Sequence, residues 1–228
     1  MKYYPINLDI NGHTCLVVGG GSVGLRKVTT LLECGARVTV VSPEVESRIE
    51  QLAEEGRIRL ERRAYTTSDL DGKFLVIGAT DDNTLNRKIS WDAGRQKMLC
   101  NIADVPDACN FILPSIVHRG DLIIAISTSG SSPAMAKKLR RELEVQYGEE
   151  YGDLLSFMQA VRQRLLSQAH APEAHKPLFE KLLDGDLVAM IRKEDVSSIN
   201  TLLADVLGEG FDFDDLMRVG KPAHSVIS

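Results

Sequence analysis

"VVGGGSVGLRKVTTLLECGARVTVVSP", residues 17–43, decides the fold. An apolar run enters three consecutive glycines, passes into an amphipathic stretch closed by Gly35, and emerges in a second β-branched run. Leu25, Val28, Leu31 and Leu32 share one helical face, so the order reads strand, tight turn, helix, strand. Gly19, Gly21 and Gly24 have the spacing of a dinucleotide-binding turn. The first allows the tight turn, the second lets a pyrophosphate approach the backbone, and the third lets the helix pack against the sheet. A helix opening at Ser22 and Val23 would point free N–H groups at phosphate. At the end of the second strand, Ser42 stands where an acidic residue for the ribose is commonest, with Pro43 and Glu44 following. No lysine or arginine occurs between Val38 and Glu46 to receive a 2′-phosphate, which favours NAD over NADP.

Working outward, the rhythm continues. Strands are expected at 13–18, 37–41, 57–62, 74–79 and 98–103, with helices at 22–34, 44–56 and 84–94. Such alternation implies a parallel sheet covered on both faces, so the fold class is α/β, with a Rossmann-like domain over residues 1–110. Residues 111–150 break the pattern. "FILPSIVHRGDLIIAI" is an antiparallel hairpin turning at 118–121, and it feeds through "STSGSSP" into a helix from Ala134, with Ser131 or Ser132 as cap. Residues 151–208 read as a helical domain, with apolar stripes Leu154–Met158–Val161–Leu165, Leu178–Leu182–Leu183 and Ile199–Leu202–Leu203–Val206, the last capped by Asp195 or Ser197. Residues 209–228 show no period and are expected to be a poorly ordered tail.

The chain of 228 residues carries a net charge of −5, which argues against general affinity for nucleic acid or an anionic membrane surface. No apolar run reaches the roughly 20 residues that span a bilayer, and the first residues lack a signal-peptide core. Cys15, Cys34, Cys100 and Cys109 are scattered without a Cys-x-x-Cys pair. They read as reduced thiols of a cytoplasmic protein, without a metal site.

Two further constellations follow strand ends, where an open α/β sheet binds ligands. In "GATDDNTLN", Thr80 and Asp81 should face the nucleotide cleft, although Asp81 or Asp82 could equally cap the next helix. In "CNIADVPDACNF", Asn101 and Asp104 should project toward the nicotinamide end. A carboxylate there can take a proton while a cofactor takes a hydride; Asp107 competes for that role, and Asp104 could instead be a turn residue ahead of Pro106.

Together, "YPINLDINGHTCLVVGGGSVGLRK", "ATDDNTLN", "CNIADVPDACNFILPS" and "ISTSGSSPAMAKKLR" resemble the siroheme-synthase dehydrogenase/chelatase family over about residues 3–150. The resemblance implies NAD-dependent oxidation of precorrin-2 to sirohydrochlorin, with Fe2+ insertion as a second activity in some members. It implies cofactor contacts at Ser22, Val23, Pro43 and Glu44, a central carboxylate at Asp104, and a homodimer formed through the 111–150 region, which also helps form the tetrapyrrole cleft. The fused methyltransferase of some members is not expected within 228 residues. For a polycarboxylate macrocycle, Ser127, Thr128, Ser129, Lys137 and Arg119 are the expected substrate contacts, although a basic run is also an ordinary solvated helix face. His13 and His118 read as ordinary strand or turn histidines, and His170 and His175 as exposed loop residues. The competing readings are a dehydrogenase-only member, a non-enzymatic NAD-sensing module and a different small-acid dehydrogenase.

Overall fold

A computed structural model describes residues 2–167 and 172–220. The chain divides into two compact units, Met1–Leu113 and Pro114–Ser228.

The first unit is built on five parallel strands: β1 (Thr14–Gly20), β2 (Arg37–Val45), β3 (Ile58–Glu61), β4 (Leu75–Gly78) and β5 (Leu99–Ile102). Their order is β3-β2-β1-β4-β5. Cys15, Leu16, Val17 and Val18 of β1 are all buried, as a strand covered on both faces requires. One face packs against α1 (Ser22–Glu33) and α2 (Ser47–Glu54), where Val28, Leu31, Ile49 and Leu52 meet Cys15, Val17, Val38 and Val40. The other packs against α3 (Asn83–Arg95), where Ile89 and Ala93 meet Leu16, Val18, Val41 and Val76. The chain reverses direction across the sheet between β1 and β4, which opens a crevice at their carboxyl ends.

One boundary differs from expectation. The helix expected from Glu44 begins at Ser47, because β2 continues through Val45. Gly20 pairs with Val45 beyond a register shift, and the Glu46 N–H donates to the Gly20 carbonyl at 2.9 Å. Pro43 reinforces this by disfavouring helical backbone at Ser42. At the opposite edge, the Asn110 amide donates to the Met98 carbonyl (2.7 Å) and accepts from the Cys100 N–H (2.8 Å), so a side chain occupies the open edge of β5.

The second unit opens with an antiparallel hairpin, β6 (Ser115–Arg119) and β7 (Leu122–Ile126). The turn is Gly120–Asp121 alone, because His118 and Arg119 pair with Ile123 and Leu122. Gly120 has φ +55°, the sign a two-residue hairpin turn demands at its first position. Then follow α4 (Pro133–Gln146), α5 (Glu150–Ser167), α6 (Pro172–Asp184), α7 (Leu187–Arg192), α8 (Val196–Leu207) and α9 (Phe213–Gly220). Phe157, Val161, Leu182, Leu187, Ile199 and Leu203 form the helical core. Asp195 caps α8 by accepting from the Ser198 N–H at 3.1 Å.

Three expectations are corrected here. The hairpin region and the helices belong to one unit rather than to separate domains. The expected irregular tail instead contributes α9, because Phe211 and Leu216 are buried in the helical core; residues 221–228 lie outside the described residues. His175 is a buried residue of α6 rather than an exposed loop residue, while His170 lies outside the described residues. Among the described residues, no helix is long and apolar enough to cross a membrane.

Candidate active site

The crevice of the first unit is a cavity of about 660 Å³ lined by Gly19–Val23, Val41–Glu46, Ala64, Tyr65, Ala79–Asp81 and Leu85 among others. Gly19 has φ +112°, and a Cβ there would collide with the Ala79 carbonyl; one at Gly24 would collide with the Gly19 carbonyl. These two glycines let β1, β4 and α1 converge. Gly21 is different: its φ is −79° and nothing lies within 4 Å of where its Cβ would stand. The helix start beside it carries no side-chain cap and no acidic residue in its first turn. Its first amides therefore have no intrahelical partners and its positive end is uncompensated. Open backbone, free amides and positive dipole fit a pyrophosphate.

Ser42 is buried, and its hydroxyl accepts from the Gly20 N–H (3.1 Å) and donates to the Glu44 carbonyl (2.6 Å). It ties the glycine turn to the end of β2 and leaves the exposed Pro43 and Glu44 as the outward wall. Thr80 lines the cavity, but its hydroxyl donates to Asn86 Oδ1 at 2.8 Å, and the Asn86 amide returns a bond to the Thr80 carbonyl. Asp82 is the cap of α3, accepting from Thr84 and Leu85 N–H at 2.8 and 3.1 Å, which leaves Asp81 exposed on the cavity wall.

Asp104 follows β5, exposed, with φ +59°. That left-handed backbone costs a non-glycine residue about 1 kcal/mol, and aspartate tolerates it better than most. The loop is held by Cys109, whose sulfur accepts from the Ile102 N–H at 3.1 Å and lies 3.3 Å from the carbonyls of Ile102 and Val105. Asn101 does not reach the cavity. It is buried, and its amide donates to the Phe111 carbonyl at 3.1 Å, so the expected cofactor contact is a loop brace instead.

In the second unit, Ser127 Oγ accepts from the Ser129 N–H (3.1 Å) and Thr128 Oγ1 from the Ser132 N–H (3.2 Å). Ser129 has φ +53°, Ser132 caps α4 by accepting from Met135 N–H (3.2 Å), and Lys137 is exposed one turn into the helix. Arg119 departs from expectation. Its guanidinium donates to the carbonyls of Tyr147 (3.0 Å), Glu144 (3.2 Å) and His118 (2.8 Å) and pairs with Glu149 at 3.2 Å. A cation at a helix C-terminus stabilises the last carbonyls, so Arg119 is a cap for α4 and not a free cation for substrate.

Two family models cover most of the chain up to residue 146: "Putative NAD(P)-binding" matches residues 6–115 and "Sirohaem biosynthesis protein central" matches residues 119–146. A siroheme synthase of Nitrosococcus oceani is 39% identical over 191 residues, covering 84% of this chain and 41% of that protein. One from Nitrosospira multiformis is 40% identical over 195 residues, with 84% and 41% covered. The solved structure of SirC, a precorrin-2 dehydrogenase, superposes with a TM-score of 0.78 at 27% identity, covering 90% of this chain and 99% of that one. The chain belongs to the siroheme-synthase family. It spans under half the length of the curated siroheme synthases it matches.

Two residues beside the site escaped the sequence reading of this family member. Lys27 sits on α1 one turn beyond Val23, half-buried. Burial pushes its ammonium below the ordinary lysine value, Arg26 adds to this, and the Asp104 carboxylate pushes back. It is thus within electrostatic reach of Asp104, which the "LRK" spacing alone did not disclose. Tyr65, after β3, lines the nucleotide cavity. No glycine or charge pattern marks it. His13, by contrast, is the ordinary residue expected, its ring stacked on Phe74 with centroids 4.4 Å apart.

Proposed function

We propose that this chain oxidises precorrin-2 to sirohydrochlorin with NAD, the dehydrogenation step of siroheme formation. The observation that carries the reading is the opened glycine turn at Gly21 in a chain that parallels a precorrin-2 dehydrogenase along 90% of its length. Bound NAD supplies a hydride acceptor. Gly21, Ser22, Val23 and Gly24 would hold its pyrophosphate, and Pro43 and Glu44 the adenosine ribose. The carboxylates of Glu44 and Glu46 oppose a 2′-phosphate, which supports NAD over NADP. Asp104 receives the proton that leaves the macrocycle with the hydride, with the half-buried Lys27 beside it. Ser127 and Thr128 accept from backbone amides, so their O–H groups remain to donate to substrate carboxylates, with Ser129 and Lys137 completing the set.

The same carboxylate can take pyrrole protons as Fe2+, a substrate here, enters sirohydrochlorin. A dehydrogenase-only reading is supported by the likeness to SirC, a precorrin-2 dehydrogenase that this chain covers almost end to end. We further read the chain as a homodimer joined through β6 and β7, whose outer face exposes Ile116 and Ile123, and as cytoplasmic, in keeping with four free cysteines.

Supplying precorrin-2 and NAD to the folded protein should yield NADH and the absorbance of sirohydrochlorin. Asp104→Ala should lower kcat by about a hundredfold or more while NAD affinity is unchanged, as expected for removal of a general base. Absence of turnover in the wild type would sink the proposal, and normal turnover in the variant would remove Asp104 from the chemistry. Adding Fe2+ to sirohydrochlorin without NAD separates the bifunctional from the dehydrogenase-only form.

A further inference from the structure

Beneath the nucleotide cavity lies a polar cluster that the proposed chemistry does not use. Asp92, on the inner face of α3, is 3% exposed. One of its oxygens, Oδ2, accepts from the Tyr65 hydroxyl (3.1 Å), the Thr67 hydroxyl (2.9 Å) and the Lys88 ammonium (2.6 Å). Lys88 also donates to Thr67 Oγ1 at 2.9 Å and stands 5.0 Å from the centroid of the Tyr65 ring. Burial opposes the charged carboxylate, but the bonds from Lys88, Thr67 and Tyr65 outweigh it and hold its pKa below the usual value.

Lys88 keeps half of its side chain in solvent, so its ion pair with the buried Asp92 adds little stability of its own. Its distinctive effect is orientation. Here three donors converge on one oxygen, and the group they orient is the only member of the cluster on the cavity wall, Tyr65. Hydroxyl bond and cation–π contact fix the ring at its tip and on its face. Tyr65 follows β3, and β3 lies beside β2 at the sheet edge opposite β5 and Asp104. The same cavity wall carries the end of β2, where dinucleotide folds receive the adenosine ribose.

We propose that Tyr65 is a contact residue for the adenosine half of the dinucleotide, and that Asp92 is a positioning residue acting through it. This rests on the NAD reading above and adds to it a residue and a half of the ligand. Tyr65 supplies a rigid aromatic wall; Asp92, Thr67 and Lys88 prevent the ring from turning into the cavity or away from it.

The test is calorimetric titration of the full chain with NAD and with ADP-ribose, alongside inhibition of turnover by NMN. Tyr65→Ala should weaken NAD and ADP-ribose about tenfold, and Tyr65→Phe, which keeps the ring and loses the bond to Asp92, about threefold. Asp92→Asn should match Tyr65→Phe, and the double variant should be no weaker than either, since both remove the same link. NMN inhibition should not change, and KM for NAD should rise while kcat stays within twofold. If Asp92→Asn fails to fold, Tyr65→Phe against Tyr65→Ala still decides. Wild-type ADP-ribose affinity in Tyr65→Ala, or an equal loss for NMN, overturns the proposal while leaving the NAD reading intact. A wild type that binds neither NAD nor ADP-ribose overturns both.

Discussion

Gly21 has backbone angles open to any residue and free space around its missing Cβ, so the fold does not require a glycine there. Gly21→Asp should leave the thermal midpoint within a few degrees of wild type yet weaken NAD by more than about tenfold, since it sets a carboxylate against the pyrophosphate. Calorimetry and a melting curve on the same sample check both halves. Gly19 and Gly24 behave oppositely, because a Cβ at either meets backbone of the fold itself. The buried thiols make a second residue-scale prediction. Burial, with a smaller push from Cys34, raises Cys15 from 9.0 to about 11. Burial, then Cys109, raises Cys100 from 9.0 to about 12. In the unfolded chain both ionise near the lower value, so the unfolded state binds fewer protons and stability falls as pH rises above about 9. Urea unfolding at pH 8 and pH 10 should show a loss of roughly 1 kcal/mol per thiol. Cys15→Ala should remove its share of the slope.

At the scale of elements, side chains that the sequence offers as ligands become braces. Arg119 looks like a substrate cation in a hairpin turn, but the turn is two residues shorter and the side chain caps α4. Arg119→Ala should therefore destabilise the protein by about 2 kcal/mol, the scale of charge-assisted bonds to carbonyls, while KM for the tetrapyrrole stays within twofold. Denaturant titration beside a turnover assay separates the two roles. Asn101, Asn110 and Cys109 similarly hold the loop that carries Asp104. Polar residues at strand ends fit both uses equally well in one dimension. Their partners lie across the loop at residues 98, 102 and 111, and only the folded path reveals which donors remain free.

For the whole molecule, the apolar pattern of β6 and β7 has two faces, and Val117 is buried while Ile116 and Ile123 remain exposed. In the homodimer reading that outer face is covered by its copy. Ile116→Asp combined with Ile123→Asp should shift sedimentation from dimer to monomer without loss of NAD binding; an unchanged dimer would place the interface elsewhere. The order of strands and helices as far as α4, the glycine turn and the carboxyl-end positions of Asp81 and Asp104 were legible in the sequence, whereas α7 and α9 were not. The legible features follow from local periodicity and from the steric demands of single residues. The extension of β2 through Val45, the capture of Phe211 and Leu216 by the helical core, the capping role of Arg119 and the Tyr65–Asp92 cluster were not. Each depends on a partner remote in sequence. Hydrophobic burial and hydrogen-bond satisfaction act between neighbours in space, and only the tertiary structure decided which neighbours those are.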